Sequence, residues 1–314
     1  MTKKISLTYV VKANQSGERV DVVSAKSFPE FSRNHVQKWI KEGALLINGK
    51  KTKSKQILQG GELIEVKIDE EVLSDDQPED IKINVIFEDR DIIIINKPPN
   101  LVVHPGAGNR KGTLVNGLIN YDASLAYLPR AGIVHRLDKD TSGLMVVARN
   151  EKSYLNLINQ LKKRTFVKKY SALVVGEPSS GRVIDKPIGR HPRYRTKQAV
   201  VRSGKEAVTK FKLVKKLNGY SLLEVSILTG RTHQIRVHLS YIGFPIIGDS
   251  TYGGRKRFAK GTSENLRKII SGFQRQALHA SFLSLKHPTR NEFINFKTKL
   301  PQDIALLTKV LEHG

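Results

Sequence analysis

Apolar positions in this chain recur with two different periods, one on each side of an acidic stretch. In the first part, Val36, Trp39 and Ile40 fall at i, i+3 and i+4. That spacing predicts a helix over residues 32–41, with Ser32 as its N-cap and Gly43 as its end. Residues 16–26 predict a shorter helix before it. Residues 44–47, the pair Asn48-Gly49 and the chain from Lys50 onward read as strand, turn, strand, because Asn-Gly supplies the positive φ that a two-residue hairpin needs. Gly60-Gly61 makes another turn before a strand over residues 63–68.

After residue 80 the pattern is mainly that of strands. Residues 84–87, 92–96, 101–104, 143–148, 169–175, 209–214 and 222–228 are predicted strands. Residues 151–163, with Tyr154, Leu157, Ile158 and Leu161 on one side, predict a helix, as do 232–242, 264–270 and 302–311. Strand often follows strand with no crossover helix between. This argues for an α+β domain around a mixed, mainly antiparallel sheet. Between the two parts, residues 69–80 (DEEVLSDDQPED) follow neither period, contain a proline and hold seven acidic and no basic side chains. They read as an extended linker. The expected organisation is a small domain at 1–68, the linker at 69–80 and a larger domain at 81–314, which suits a chain of 314 residues.

Charge changes the picture from fold to partner. Lys and Arg number 54 against 29 Asp and Glu, for a formal net charge of +25. Residues 1–68 carry +7, the linker −7 and residues 81–314 +25. Nucleic acid is the first partner such a balance implies, and an acidic membrane surface the second. Apolar runs such as 92–95 are far too short to span a bilayer. The N-terminus lacks the apolar core of a signal peptide. There is no cysteine, which excludes disulfides, thiol nucleophiles, iron–sulfur clusters and Cys-based zinc sites and favours a reducing, cytosolic home. Arg33, Lys38, Lys41, Lys50, Lys51 and Lys53, with Lys55, cluster on the predicted helix–hairpin unit with no matching acidic set. They form a candidate RNA-facing patch.

Candidate chemistry is densest at residues 135–143, HRLDKDTSG. Asp138, Asp140, Ser142 and Gly143 fit the start of a calcium loop, but Arg149 stands where a bidentate Glu is required. A phospho-accepting aspartate would need further carboxylates for magnesium, in a domain with few to spare. Asp138 as a metal-free nucleophile is a third reading; Arg136 and Lys139 flank it with positive charge. A plain surface turn is the fourth. Gly106, Gly108 and Gly112 are spaced unlike a dinucleotide loop and read as a turn. In TGRTHQIRVH, His233 and His238 lie five apart, which is wrong for a zinc pair on one helix face. Arg231, at the predicted helix start, could pair with a carboxylate from another strand.

Four segments together carry a resemblance. NKPPNLVVHPG, HRLDKDTSG, KKYSALV and LTGRTHQIRVHL resemble, in order and spacing, the four motifs of RNA pseudouridine synthases of the RluA type. Residues 17–66 resemble the S4 RNA-binding module. The likeness therefore covers nearly the whole chain. AGIVHRLDKD, VVHPGAGN, RQALHA and the terminal PQD draw it toward the D-type branch of the family, which modifies 23S ribosomal RNA of the bacterial large subunit. The resemblance implies a pseudouridine synthase fold and isomerisation of uridine to pseudouridine in the helix 69 stem-loop. The implied partner is 23S ribosomal RNA or a large-subunit precursor, with no cofactor, no metal, no membrane and no obligate protein partner. Asp138 is then the catalytic nucleophile, Arg231 its pairing arginine and Tyr170 the aromatic that stacks on the flipped base and moves a proton at C5. Arg136 fills the gap left by that nucleotide, and His135 supports the turn. Modification of other 23S uridines by a C-type enzyme, action on transfer RNA, or a non-catalytic S4-containing role in ribosome assembly are the alternatives.

Overall fold

In this computed structural model the described residues are 2–29, 31, 33–71, 76–106, 108–253 and 257–313. The first unit consists of β1 (Thr2–Val10), α1 (Val20–Ser27), α2 (Arg33–Glu42), β2 (Leu45–Ile47), β3 (Lys50–Lys51) and β4 (Leu63–Glu71). Its sheet runs β1-β4-β2-β3, antiparallel throughout. Val36, Trp39 and Ile40 are buried together with Val20, Val23 and Ile64, as their helical spacing requires. Asn48 and Gly49 both have positive φ (50° and 73°), so the expected hairpin turn is present. The expected cap Ser32 lies outside the described residues.

Two features differ from expectation. Strand β1, whose residues Ile5, Leu7 and Tyr9 alternate with polar ones, pairs along the whole of β4. That pairing draws β4 on to Glu71, so residues 69–71 are strand rather than linker. The register runs from Val10 opposite Leu63 to Thr2 opposite Glu71, so the antiparallel backbone ladder, not local composition, decides how far the strand extends. Residues 72–75 lie outside the described residues. Further on, the acidic segment is docked on the second unit: Asn116 Nδ2 donates to Gln77 O (2.7 Å), and Gly112 N donates to the Glu79 carboxylate (3.0 Å).

The second unit contains β5 (Val85–Glu88), β6 (Ile92–Lys97), α3 (Leu114–Tyr121), β7 (Ser142–Ala148), α4 (Glu151–Lys162), β8 (Val167–Val175) and β9 (Arg182–Asp185). It continues with β10 (Ile188–Arg190), β11 (Gln198–Val200), β12 (Val208–Leu217), β13 (Tyr220–Ile227), α5 (Gln234–Tyr241), α6 (Glu264–Gly272), β14 (Leu278–Lys286), β15 (Phe293–Lys297) and α7 (Gln302–His313). Nine of these strands form one sheet in the order β5-β6-β7-β14-β8-β13-β12-β9, with β15 on β14. Every neighbour pair is antiparallel except β7–β14. The expected mixed, mainly antiparallel α+β sheet is what forms.

The Ile92–Ile95 run is fully buried because the sheet is covered on both sides. Ile93 and Ile95 join one core with Leu114 and Leu118, while Ile92 and Ile94 join the other with Leu157 of α4. Residues 101–104, expected as a strand, are not one. Their backbone instead serves the start of α3: Leu114 N donates to Val102 O (2.8 Å) and Val115 N to Val103 O (3.2 Å). These bonds satisfy helix N–H groups that have no partner within the helix.

The parallel β7–β14 contact is short and depends on a glycine. A Cβ on Gly143 would lie 2.3 Å from Ala280 O and 2.5 Å from Ala280 N, and Gly143 has φ +121°. Gly143→Ala should therefore lower the melting temperature by more than 5 °C, since clash and backbone strain together cost about 3 kcal/mol or more. A melting temperature within about 1 °C of wild type would show that β14 can move aside at small cost.

Candidate active site

The segment leading into β7, the middle of β8 and the start of α5 converge on one cleft of about 940 Å³. Asp138, Tyr170, His233 and Arg236 line it, together with the cations Arg130, Arg136, Arg164, Lys168 and Arg231.

Asp138 sits in the irregular segment before β7, and its neighbours are held one by one. Thr141 N donates to Asp138 O (3.1 Å), closing a turn. The buried ammonium of Lys97, from the NKPP segment, donates to Lys139 O (2.9 Å) as well as to Pro98 O and Leu101 O. Burial pulls the Lys97 pKa down to about 7, against the pull of Asp140 and Asp138. Arg275 Nη1 donates to Asp140 O (3.2 Å), and the same guanidinium grips both carboxylate oxygens of Asp303 at 2.7 and 2.8 Å. Gln276 Nε2 donates to Thr141 Oγ1 (3.1 Å), and the His279 ring bonds Ser142 Oγ (2.9 Å). The RQALHA and PQD segments thus act as a brace behind the Asp138 loop.

The arginine paired with Asp138 is Arg236, not Arg231. Arg236 Nη1 donates to Asp138 Oδ2 at 3.0 Å. Its Nε and Nη2 bind Asp249 Oδ2 and Oδ1 at 2.8 and 2.9 Å. Burial opposes the charge on Arg236, but Asp249 and Asp138 outweigh it and raise its pKa. Arg231 instead donates from Nε to Glu206 O (2.9 Å), beside the bidentate Arg164–Glu206 pair at the cleft mouth. The reason is where the helix begins. His233 adopts a left-handed conformation and α5 starts at Gln234, not at Thr232. Arg231 therefore precedes the helix, whereas Arg236 lies in its first turn and reaches back along it.

Sequence reasoning passed over Asp249, whose side chain is fully buried and also accepts from Thr251 N (2.9 Å) and Tyr252 N (3.1 Å). One signal was available: Asp249 is the only acidic residue between Glu224 and Glu264. Gln234 and His238 lock α5 to β12, through Gln234 Nε2 to Val208 O (3.0 Å) and the His238 ring to Thr209 Oγ1 (2.9 Å).

Tyr170 is buried on β8 between Val225 of β13 and Ala280 of β14. Burial, and then the charge of Asp138, push its phenol pKa up, so it is present as the neutral phenol. His135 accepts from Val146 N (3.2 Å) and burial lowers its pKa to about 3, which leaves it neutral and structural. Arg136 is exposed at the cleft.

The predicted RNA patch lies on the first unit, apart from this cleft. Lys38, Lys41, Lys50, Lys51 and Lys53 are exposed, and Lys41, Lys51 and Lys53 border a shallow concavity of about 390 Å³. Arg33 is exposed as well, but its charge is engaged within the unit. Its guanidinium binds the buried Asp21 (2.9 Å), which Arg19 and Gln37 also hold, so it braces α1 against α2. The two units touch where His35 Nδ1 meets Glu151 Oε2 at 2.6 Å. Among the described residues, Asp89, Asp91 and His287 are close enough together to share a metal ion. None of them lines the cleft, and Arg290, Thr289 and Ser153 already bond the two carboxylates.

Comparison with known proteins agrees with this geometry. Residues 91–241 match the family model for RNA pseudouridylate synthase, and residues 18–64 match the S4 domain. Ribosomal large subunit pseudouridine synthase D of Escherichia coli K12 is 43% identical over 99% of this chain and 96% of its own. The synthase D of Xanthomonas campestris is 46% identical over 96% and 91%. Among solved structures, human RNA pseudouridylate synthase domain containing 4 superposes with a TM-score of 0.57 at 28% identity, covering 73% of this chain and 93% of that one. Four motifs converging on one basic cleft, an S4 unit ahead of them and relatives matched end to end lead to one conclusion: the chain belongs to the RluA-type RNA pseudouridine synthases that carry an N-terminal S4 domain.

Proposed function

We propose that this synthase acts on 23S ribosomal RNA of the large subunit in the bacterial cytoplasm, at uridines of the helix 69 stem-loop, with Asp138 as its nucleophile. The observation that carries the catalytic part is the Asp138–Arg236–Asp249 chain beside Tyr170 in a cleft lined by arginines. The synthase D relatives, matched over nearly their whole length, support the choice of RNA.

The reaction breaks the C1′–N1 bond, rotates the base and forms C1′–C5; C5 gives up its proton and N1 gains one. Attack by a carboxylate at ribose C1′ or base C6, or proton removal toward a glycal, requires an oriented carboxylate beside the glycosidic bond. Arg236 supplies that orientation by holding Oδ2. Tyr170, as a neutral phenol, stacks on the extruded base and can hand a proton on, but it does not start as a base. Extruding the base costs a few kcal/mol, which phosphate contacts to the cleft cations and to the S4 lysines offset. Arg136, exposed beside Asp138, is placed to fill the gap left in the RNA. No step in this scheme calls on a metal or a cofactor.

Mapping pseudouridines across 23S and transfer RNA from a strain lacking the gene tests the target. Loss confined to helix 69 and restored by this chain is expected. Loss at other 23S positions would assign it to the C-type branch, and loss in transfer RNA would refute a ribosomal substrate.

The S4 unit should tether rather than catalyse, because its core is separate and all four motifs lie beyond it. A chain beginning at Asp76 keeps the Gln77 and Glu79 contacts. It should retain the saturating single-turnover rate within about twofold and bind RNA more weakly. Its affinity should also depend less steeply on salt, the slope falling by about 0.9 for every phosphate that the S4 lysines no longer neutralise. A much lower saturating rate at unchanged affinity would mean that the S4 unit shapes the active site.

A further inference from the structure

His233 stands at the N-terminal end of α5 with φ 56° and ψ 19°. A non-glycine residue is uncommon in that region, and its ring here is fixed by a neighbour. That neighbour is Tyr252, whose hydroxyl lies 2.8 Å from His233 Nδ1. That same hydroxyl accepts the Gln198 N–H at 3.0 Å. With one acceptor site engaged, the phenol O–H is placed to donate to Nδ1. A neutral imidazole then carries its N–H on Nε2. Nε2 faces Asp138 Oδ1 at 4.0 Å, the carboxylate oxygen that Arg236 does not bind. Burial together with Arg236 and Arg136 lowers the His233 pKa, against Asp138 and Asp249, which favours this neutral form. The Arg236 guanidinium lies over the Tyr252 ring, 5.0 Å from its centroid, so the two arms of the arrangement brace each other.

We propose that His233 is a positioning residue for Asp138: Tyr252 sets its tautomer, and on closure around the RNA its Nε2–H bonds Oδ1 while Arg236 holds Oδ2. Contacts of this kind are commonly long before substrate binds and shorten in the complex. Two donors on the two oxygens fix the plane of the carboxylate as its bond to the substrate forms and breaks. This rests on Asp138 being the nucleophile.

The test is single-turnover kinetics on an RNA stem-loop substrate with the full chain, comparing His233→Gln, His233→Asn, Tyr252→Phe and Asp138→Asn. Gln places an amide N–H near the Nε2 position. Asn reaches only the Nδ1 position but tolerates the left-handed backbone better. His233→Asn should lower the saturating rate about a hundredfold with half-saturation unchanged, and His233→Gln should recover about tenfold of that loss. Tyr252→Phe should cost about tenfold alone and nothing further in His233→Asn, because it acts through His233.

If Asn matched or exceeded Gln, backbone fit rather than the donor would explain the position. If the loss fell on half-saturation alone, His233 would be an RNA contact. If the Tyr252→Phe and His233→Asn losses simply added, the relay would be absent. Each of these overturns the proposal. Active Asp138→Asn would instead overturn the nucleophile assignment, whereas inactive Asp138→Asn beside fully active His233→Asn would overturn only the role of His233.

Discussion

Asp138→Asn should lower the saturating rate by a thousandfold or more, on the order expected for loss of a nucleophile, and leave RNA affinity within about twofold. The substitution is nearly isosteric. The loop around it is held through other groups: Lys139 O by Lys97, Asp140 O by Arg275 and Thr141 Oγ1 by Gln276. The fold should therefore survive while the charge that attacks or removes a proton is gone. Binding draws mainly on phosphate contacts, which one uncharged amide does not alter. Single-turnover rates and filter-binding isotherms measured on the same preparation check both halves. Residual turnover above roughly a few per cent would remove Asp138 from the nucleophile role.

The second large effect separates two arginines five residues apart. Arg236→Ala leaves Asp249 buried with its guanidinium partner missing and Asp138 without its orienting donor. Breaking a buried pair in this way costs about 3–5 kcal/mol, so both the melting temperature and turnover should fall sharply. Arg236→Lys keeps a charge but cannot bridge two carboxylates through a planar fork. It should fold better than Arg236→Ala and still lose most of the saturating rate. Arg231→Ala gives up one hydrogen bond to an exposed carbonyl. It should keep its melting temperature and saturating rate and weaken RNA binding. Melting curves and single-turnover kinetics on the three variants decide the matter. A collapse of the saturating rate in Arg231→Ala alone would return the pairing role to Arg231.

The pairing error shows where a linear reading stops. That Asp138 and Tyr170 meet in one cleft was legible because each lies in a motif recognisable by its order and spacing along the chain. The choice between Arg231 and Arg236 depended on a helix boundary, and two residues of difference at the start of α5 decided it. Asp249 was hidden because one carboxylate in a turn looks like any other until the arginine facing it is known. Local periodicity found Trp39 and its neighbours, the Asn48-Gly49 hairpin and the buried Ile92–Ile95 strand. It missed β14, where His279, Ser281 and Ser284 interrupt the apolar run; His279 and Ser281 bond Ser142 and Ser171 on the adjoining strands. It also misread residues 101–104, whose carbonyls serve α3 rather than another strand. In each case the deciding contact is distant in sequence.

The most direct measurement is release of tritium from [5-³H]uridine-labelled 23S RNA by the purified protein. Formation of C1′–C5 must expel the hydrogen at C5, so each pseudouridine made releases one label, and binding alone releases none. The wild-type protein should release tritium in step with the number of helix 69 uridines converted, and Asp138→Asn should bind the same RNA and release none above background. Tight binding by the wild-type protein with no release from correctly folded RNA would contradict the account and leave a non-catalytic role in ribosome assembly.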